Sequence, residues 1–446
     1  MKSLSKFQVI LLIVFGALAV SGVLIFAFAV GGNSSNSIGP VRIWGTLDAT
    51  AVNAVITQAS ETTAGLSQVT YEQHDPAMYE SDLTNAIASG QGPDLFILRQ
   101  DYTVKDAGKI IAIPFTSGTS QQFEAAFIEA ANPFVSQNLG AILAVPLLDD
   151  PLVMYWNRDL LATAGYAKPP SYWDETIQMS TYVNDGSATV NNNSVTMRDQ
   201  ANSIKKSSIA FGEYQNVDNA KDILATLIIQ AGGTITSLDN SNHLVPSLSS
   251  NTGNTSQAAE SALRFYTGFA DPSKNDYSWN RSLTDSRAAF AAGDLGIYIG
   301  YASEEPLIRR MNPNLNFAPA PIPQIRGSAR ALTYAHVYGF AVARGARSSN
   351  SAIVVAQLLA STALSQAFSV AIGIPSARRD VLSQTTTGDN DVFNRAAIIS
   401  RAWIDPDPDK TNTAFQGMIE NTTSGAASVS EAVQRADQEI ARVLGL

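Results

Sequence analysis

At 446 residues, 45% of them hydrophobic and 15% charged, the chain is too long for one ordinary core and too apolar for disorder, so two globular lobes are expected. A net charge of −10 without any run of Lys and Arg excludes the electrostatic footprint of a nucleic-acid binder. The absence of cysteine excludes disulfides, thiolate metal sites, cysteine nucleophiles and an acylated cysteine anchor.

Lys2 and Lys6 precede an apolar stretch from Phe7 to Val30, which ends at Gly31-Gly32-Asn33. About 20 apolar residues span a hydrocarbon core of roughly 30 Å, more than the 7–15 of a cleavable signal, and this length predicts a retained transmembrane helix. Ala27-Phe28-Ala29 has the small-x-small form of a cleavage site and keeps a cleaved signal open. With the basic residues ahead of the helix, the N-terminus is expected in the cytoplasm and the rest outside, extracellular or periplasmic. Residues 1–32 therefore read as anchor or signal, and 33–39 as a flexible linker.

Folding begins after Pro40. Val41–Trp44 reads as a strand, 49–64 as a helix, Val69–Glu72 as a strand, Met78–Ser89 as a helix and Asp94–Leu98 as a buried strand, an alternation that predicts a parallel sheet with helices on its faces. Ile142–Pro146 and Leu152–Trp156 read as two strands around a turn at Asp149-Asp150-Pro151, followed by a helix from Arg158 to Ala164. A further helix is expected from about Tyr172 to Val183. Residues 184–208 read as an exposed hairpin and 237–256 as a polar loop. Ser349–Val370 reads as one long helix, and Ser430–Leu444 as an amphipathic terminal helix capped by Ser430.

Four segments together resemble the family-1 extracellular solute-binding proteins, the maltose-binding-protein-like carbohydrate group of ABC importers. They are Pro93-Asp94-Leu95 with the Gly108–Pro114 step; Val145-Pro146 through Tyr155-Trp156-Asn157-Arg158 to Pro169-Pro170 and Tyr172-Trp173-Asp174-Glu175; Ala289-Phe290 through Gly293 to Gly300-Tyr301; and Tyr338–Val342 with Gly373-Ile374-Pro375 to Val381. The resemblance covers residues 40–446 and implies an α/β, two-lobed periplasmic-binding-protein-like fold of type II, with an interlobe cleft and a hinge crossed several times. Carried onto this chain, it implies lobe 1 at 40–145 and 336–372, and lobe 2 at 146–335 and 373–446. It further implies capture of a small polar solute, a mono- or oligosaccharide, for delivery to ABC permease subunits, with no cofactor. A membrane-anchored sensory or interaction domain on the same fold, and a carbohydrate-active enzyme, are the alternatives.

A sugar offers an apolar ring face rimmed by hydroxyls, so its site needs aromatic platforms beside planar donors and acceptors. Trp44 and Asp48 follow the first strand, where α/β folds place ligand contacts, although Trp44 also suits a core. Asp149 and Asp150 lie beside the crossing strands, as sugar acceptors or as an ordinary turn. Trp279 and Trp403 stand beside polar loops. Through the resemblance, Tyr155 and Tyr301 are further contacts, Tyr301 falling where the family commonly stacks a tryptophan. His336 and Tyr338 replace glycines of the family and put bulk at the cleft, and Tyr338 completes the predicted ligand set. Trp156 and Trp173 are expected to pack inside lobe 2.

No nucleophile elbow, phosphate loop or dinucleotide fingerprint is present. His74, His243 and His336 lack metal-ligand spacing and read as surface or loop residues, and Glu304-Glu305 reads as a solvated pair.

Overall fold

The computed structural model describes residues 38–115, 119–181, 193–199, 201, 203–250 and 255–446. The predicted N-terminal helix lies outside the described residues.

Among the described residues eleven strands make one sheet: β1 (Val41–Gly45), β2 (Val69–Gln73), β3 (Leu95–Arg99), β4 (Ile110–Ile111), β5 (Val145–Asn157), β6 (Met197–Arg198), β7 (Ile204–Ile209), β8 (Leu295–Tyr301), β9 (Phe317–Ala320), β10 (Thr333–Ala343) and β11 (Ser400–Arg401). Their order is β2-β1-β3-β10-β5-β8-β7-β6, with β9 on β5 and both β4 and β11 on β10. β1 runs parallel to β2 and to β3, which requires crossover helices. These are α1 (Ala49–Ser60), capped by Asp48, whose Oδ1 accepts from the Ala51 amide at 2.8 Å, and α2 (Tyr79–Ala88). Asp94 of the Pro-Asp motif ties the edges of this unit together. Its carboxylate accepts from the Arg42 amide at 2.9 Å and the Arg347 amide at 2.8 Å.

The chief departure from the sequence reading is β5. No turn forms at Asp149-Asp150-Pro151; one strand of 13 residues runs straight through. Its first half pairs with β10 from Phe340↔Val145 to Ala335↔Pro151, and its second half with β8 from Tyr301↔Leu152 onward. Pro151 lacks an amide hydrogen, and it stands where the ladder passes from one partner to the other, a position that spares a central strand the usual cost of proline. Beside this crossing, Gly339 lets β10 approach closely. A Cβ there would meet the Val145 carbonyl oxygen at 2.9 Å.

Two apolar clusters flank the crossing. The first contains Ile43, Phe96, Phe134, Leu148, Ala335, Phe340 and Phe368; the second contains Leu152, Tyr155, Phe211, Tyr266, Phe290, Tyr298 and Tyr334. The chain changes cluster between Leu148 and Leu152 and between Tyr334 and Ala335. Further on, Ile374, Ala377, Leu382 and Ala397 pack in the first cluster, and Phe393 and Ala396 in the second.

In the second lobe α3 (Trp173–Ser180) is shorter than predicted, because Thr181 turns extended (ψ 113°). α4 (Ala220–Gln230) and α5 (Thr255–Gly268) follow. The expected exposed hairpin is partly an inner element: 182–192 lie outside the described residues, but Ser207, Ser208 and Ile209 of β7 are buried and pair toward β8. The single helix expected over 349–370 is two, α6 (Ser349–Leu359) and α7 (Thr362–Ile372), bent by 71°. Ser361 is extended (ψ 159°) at the break. This bent pair is the one apolar stretch of membrane-spanning length among the described residues, and its Val355, Leu359 and Phe368 are buried in the first cluster. α8 (Pro408–Thr423) and α9 (Val429–Leu444) close the chain. The cap of α9 is Ser428 rather than Ser430, in a capping box with Glu431.

Candidate functional site

β3 ends in Leu98-Arg99-Gln100-Asp101-Tyr102, where a buried apolar strand gives way to charge at the carboxyl end of a parallel unit, the usual place for ligand contacts. Gln100 is fully buried and anchors this turn to β10. Its Nε2 donates to the Ala335 carbonyl at 3.2 Å, and its Oε1 accepts from the Val337 amide at 2.6 Å. The turn is thereby fixed, and it presents Arg99 and Asp101 as a bidentate pair with both bonds at 2.7 Å. Burial alone would raise the Asp101 pKa. The Arg99 charge and its hydrogen bonds, with the charge of Lys221, together outweigh it and hold the carboxyl below the usual aspartate range.

Facing this turn is the start of α4. Asn219 caps the helix in a left-handed conformation (φ 61°), and its side chain donates to Glu304 Oε1 at 2.8 Å instead of capping. Lys221, in the first turn, is nearly buried and donates to Asp405 Oδ2 at 2.7 Å, Thr411 Oγ1 at 2.8 Å and the Pro408 carbonyl at 3.3 Å. It thus pins the start of α8 beside the start of α4.

Between these walls lies a cavity of about 380 Å³, lined by Arg99, Asp101 and Tyr102 from the first lobe, His336 from β10, and Tyr214, Val217, Asn219 to Asp222, Pro408, Asp409 and Asn412 from the second. Its walls are polar, and both lobes contribute. The lining residue Asp409 is also held from across the cleft, its Oδ2 accepting from the Lys105 ammonium at 2.5 Å. A wider depression of about 570 Å³ along α1 is formed by that helix alone and has no opposing wall.

Two of the predicted ligand residues stand in or against this cleft. Tyr301 ends β8 behind the cavity wall, its ring stacked on His336 at 4.4 Å and 19°, its hydroxyl donating to Asp222 Oδ2 at 2.7 Å. Tyr338 is half-buried two residues beyond His336 on β10, beside Arg99.

The others are elsewhere. Tyr155 is fully buried in the second cluster and donates to the Tyr301 carbonyl at 2.7 Å, so it braces the sheet. Trp279 is also core, its Nε1 donating to Asn216 Oδ1 at 3.2 Å. Trp403 is buried on Phe415 and lies under the Lys221 ammonium, 5.4 Å from its ring centre. Trp44 packs in the first cluster against His74 at 4.1 Å, and Asp48 is spent on capping α1. Asp149 and Asp150 are buried in β5, bonded to Ser400 Oγ at 3.3 Å and the Ser303 amide at 2.9 Å. Burial pushes Asp150 up to about 7 and Asp149 well above the carboxylate range.

Glu304 is not solvated but buried, and it accepts from Tyr298, Arg287, Asn219 and the Tyr301 amide. His336 is likewise no loop residue; it is 9% exposed on a central strand. Sequence reasoning passed over Arg99, Asp101, Tyr102, Tyr214, Lys221 and Asp222. The charged run after a fully apolar strand was the signal for the first three; the first turn of a buried helix carrying Lys and Asp was the signal for the last two.

A family model described as bacterial extracellular solute-binding protein matches residues 53–365. A putative binding protein of Brucella abortus is 32% identical over 95 residues, which are 21% of this chain and 22% of that protein. Among solved structures, the cyclic alpha-maltosyl-1,6-maltose binding protein from Arthrobacter globiformis superposes with a TM-score of 0.72 at 16% identity, covering 91% of this chain and 99% of that one. The sugar-binding protein MalE from Xanthomonas citri gives 0.69 at 15% identity, over 91% and 97%. Likeness at this level establishes the α/β, two-lobed periplasmic-binding-protein-like fold.

Proposed function

This chain belongs to the bacterial extracellular solute-binding protein family, whose members bind solutes rather than turn them over, and from that premise we propose that it captures a small sugar between its lobes for an ABC importer. The observation that carries the reading is the polar cavity itself. Arg99 and Asp101 from one lobe and Asp222, Asn219 and Asn412 from the other are planar donors and acceptors of the kind that satisfy hydroxyls in pairs, and Tyr102 and Tyr214 supply ring faces beside them. At about 380 Å³ the space lies near the small end of ligand pockets, which suits a mono- or disaccharide better than a long oligomer. Two solved neighbours that share the fold, one binding cyclic alpha-maltosyl-1,6-maltose and one described as sugar-binding, support the same class.

In this reading the crossing strands β5 and β10 are the hinge, and a solute that touches both walls shifts open lobes toward the closed form. The permease then recognises the closed shape. The apolar segment Phe7–Val30 after Lys2 and Lys6 is the anchor, with the lobes outside the membrane.

A thermal-shift screen against mono- and disaccharides, polyols, amino acids and polyamines tests the proposal, since ligand stabilises the folded form by mass action. A saturable rise with one sugar class, lost in Asp222→Asn, is the expected result. Stabilisation by amino acids or polyamines alone would replace the sugar with another solute.

A further inference from the structure

The resemblance assigns the stacking position to Tyr301, but a histidine already covers that ring. His336 lines the cavity, and the Tyr301 face behind it is occupied at 4.4 Å and 19°. A hydrogen-bond chain fixes how the imidazole stands. The Tyr301 hydroxyl gives its proton to Asp222 Oδ2 at 2.7 Å, the shorter and charge-assisted bond, and is left as an acceptor for His336 Nε2 at 3.2 Å. Nε2 is 3.7 Å from the Asp222 carboxylate, too far for a direct bond. A neutral imidazole that donates through Nε2 carries a lone pair on Nδ1.

Resting on the proposed capture of a sugar, we infer that His336 is the specificity-determining side chain of the inner cleft, held as the neutral Nε2–H tautomer and offering Nδ1 as an acceptor to a solute hydroxyl. The charges around it agree with a neutral ring. Burial and the Arg99 guanidinium from β3 hold its pKa well below the ordinary histidine value, Lys221 from α4 acts in the same direction, and Asp101 opposes them. Asp222 from α4, Tyr301 from β8, Tyr334 on its own strand at 5.6 Å and Asp150, its partner across the ladder on β5, complete its surroundings. A site built in this way takes a hydroxyl donor at Nδ1 and rejects an analogue in which that position bears only an acceptor.

The chain has three histidines, which makes the ring nitrogens directly observable. In the full-length chain labelled with 15N-histidine, His336, identified by its loss in His336→Gln, should show a protonated Nε2 and a bare Nδ1 from pH 5 to 8. Tyr301→Phe keeps the ring stack and removes the oxygen, and should release the tautomer into a mixture. A protonated Nδ1, or a ring that titrates near its ordinary value, would overturn the inference whatever the solute.

The second arm adds glucose, galactose, xylose and maltose in turn. A sugar that stabilises the chain should move the His336 Nδ1 resonance while His74 and His243 stay still, and should bind His336→Gln about tenfold more weakly. Stabilisation with His336 unmoved would overturn the inference and leave sugar capture standing. If no sugar stabilises the chain, the proposed solute class fails while the tautomer is still decided by the first arm.

Discussion

Asp101 in the cleft and Asp149 in the crossing strand are equally hidden, 3% and 0% exposed, yet their carboxyls behave in opposite ways. Asp101 meets a guanidinium through two bonds and stays ionised; Asp149 meets one hydroxyl at 3.3 Å, has an oxygen without a partner, and is driven toward the protonated form. Burial sets the penalty, and the neighbour decides whether the charge survives it. The Arg99–Asp101 pair therefore keeps its charges in the cleft, while burial in the crossing draws Asp149 and Asp150 toward the protonated form.

The sharpest way to break this contrast is Arg99→Met. Asp101 would lose its partner, and because Arg99 is itself 32% exposed the expected cost is about 3 kcal/mol, the low end for a broken buried pair, read as a lower urea midpoint. Adding Asp101→Asn should recover much of that loss, and a double-mutant cycle without coupling would show that the pair does not hold the wall.

The crossing should betray itself in pH dependence. With Asp150 at about 7 when folded and about 3.9 when unfolded, the folded state holds the extra proton between those values. Its contribution to stability is therefore present at low pH and is lost as pH rises through 7, with a slope of up to about 1.4 kcal/mol per pH unit. Asp149 contributes with the same sign, so Asp150→Asn should reduce the measured slope by about one proton. At pH 7, Asp149→Asn should change stability by no more than about 1 kcal/mol, since it replaces an acid that is already neutral. A large loss there would mean that the crossing, like the cleft, depends on charge.

The smallest effect belongs to the cross-lobe bond of Lys105 to Asp409. Asp409 is 66% exposed, and Lys105→Ala should cost about 0.5 kcal/mol, weakening with added salt.

The same contrast explains what could be read in the chain beforehand. The motifs that revealed the family are scaffold: Asp94 ties strand edges, Tyr155 braces Tyr301, and Asn157 caps the helix Arg158–Thr163 by accepting from the Leu160 amide at 3.0 Å. Such residues recur in pattern because the fold needs them, which is why the two lobes were legible. The cleft residues lie between the motifs, and tertiary structure brings Asp101 to Lys221 and Asp409 across the chain. The large aromatics misled for a related reason. Trp279 and Trp403 stand next to polar loops in sequence but point inward, as bulky rings do when a core is available. The turn expected at Asp149-Asp150-Pro151 failed because local turn chemistry was overruled by two long partner strands. His336, noticed only as a departure from the family, became the informative position.

Because β10 and β5 stay paired from Ala335 to Phe340, the joint between the lobes is a stretch of sheet rather than a pair of loops. A joint of that kind works as a leaf spring: it flexes by altering twist while its ladder bonds persist, and it stores a restoring force instead of swinging free. The backbone amides that pair β10 with β5 between Ala335 and Phe340 should then exchange with solvent as slowly as those of the core, even while the lobes move apart.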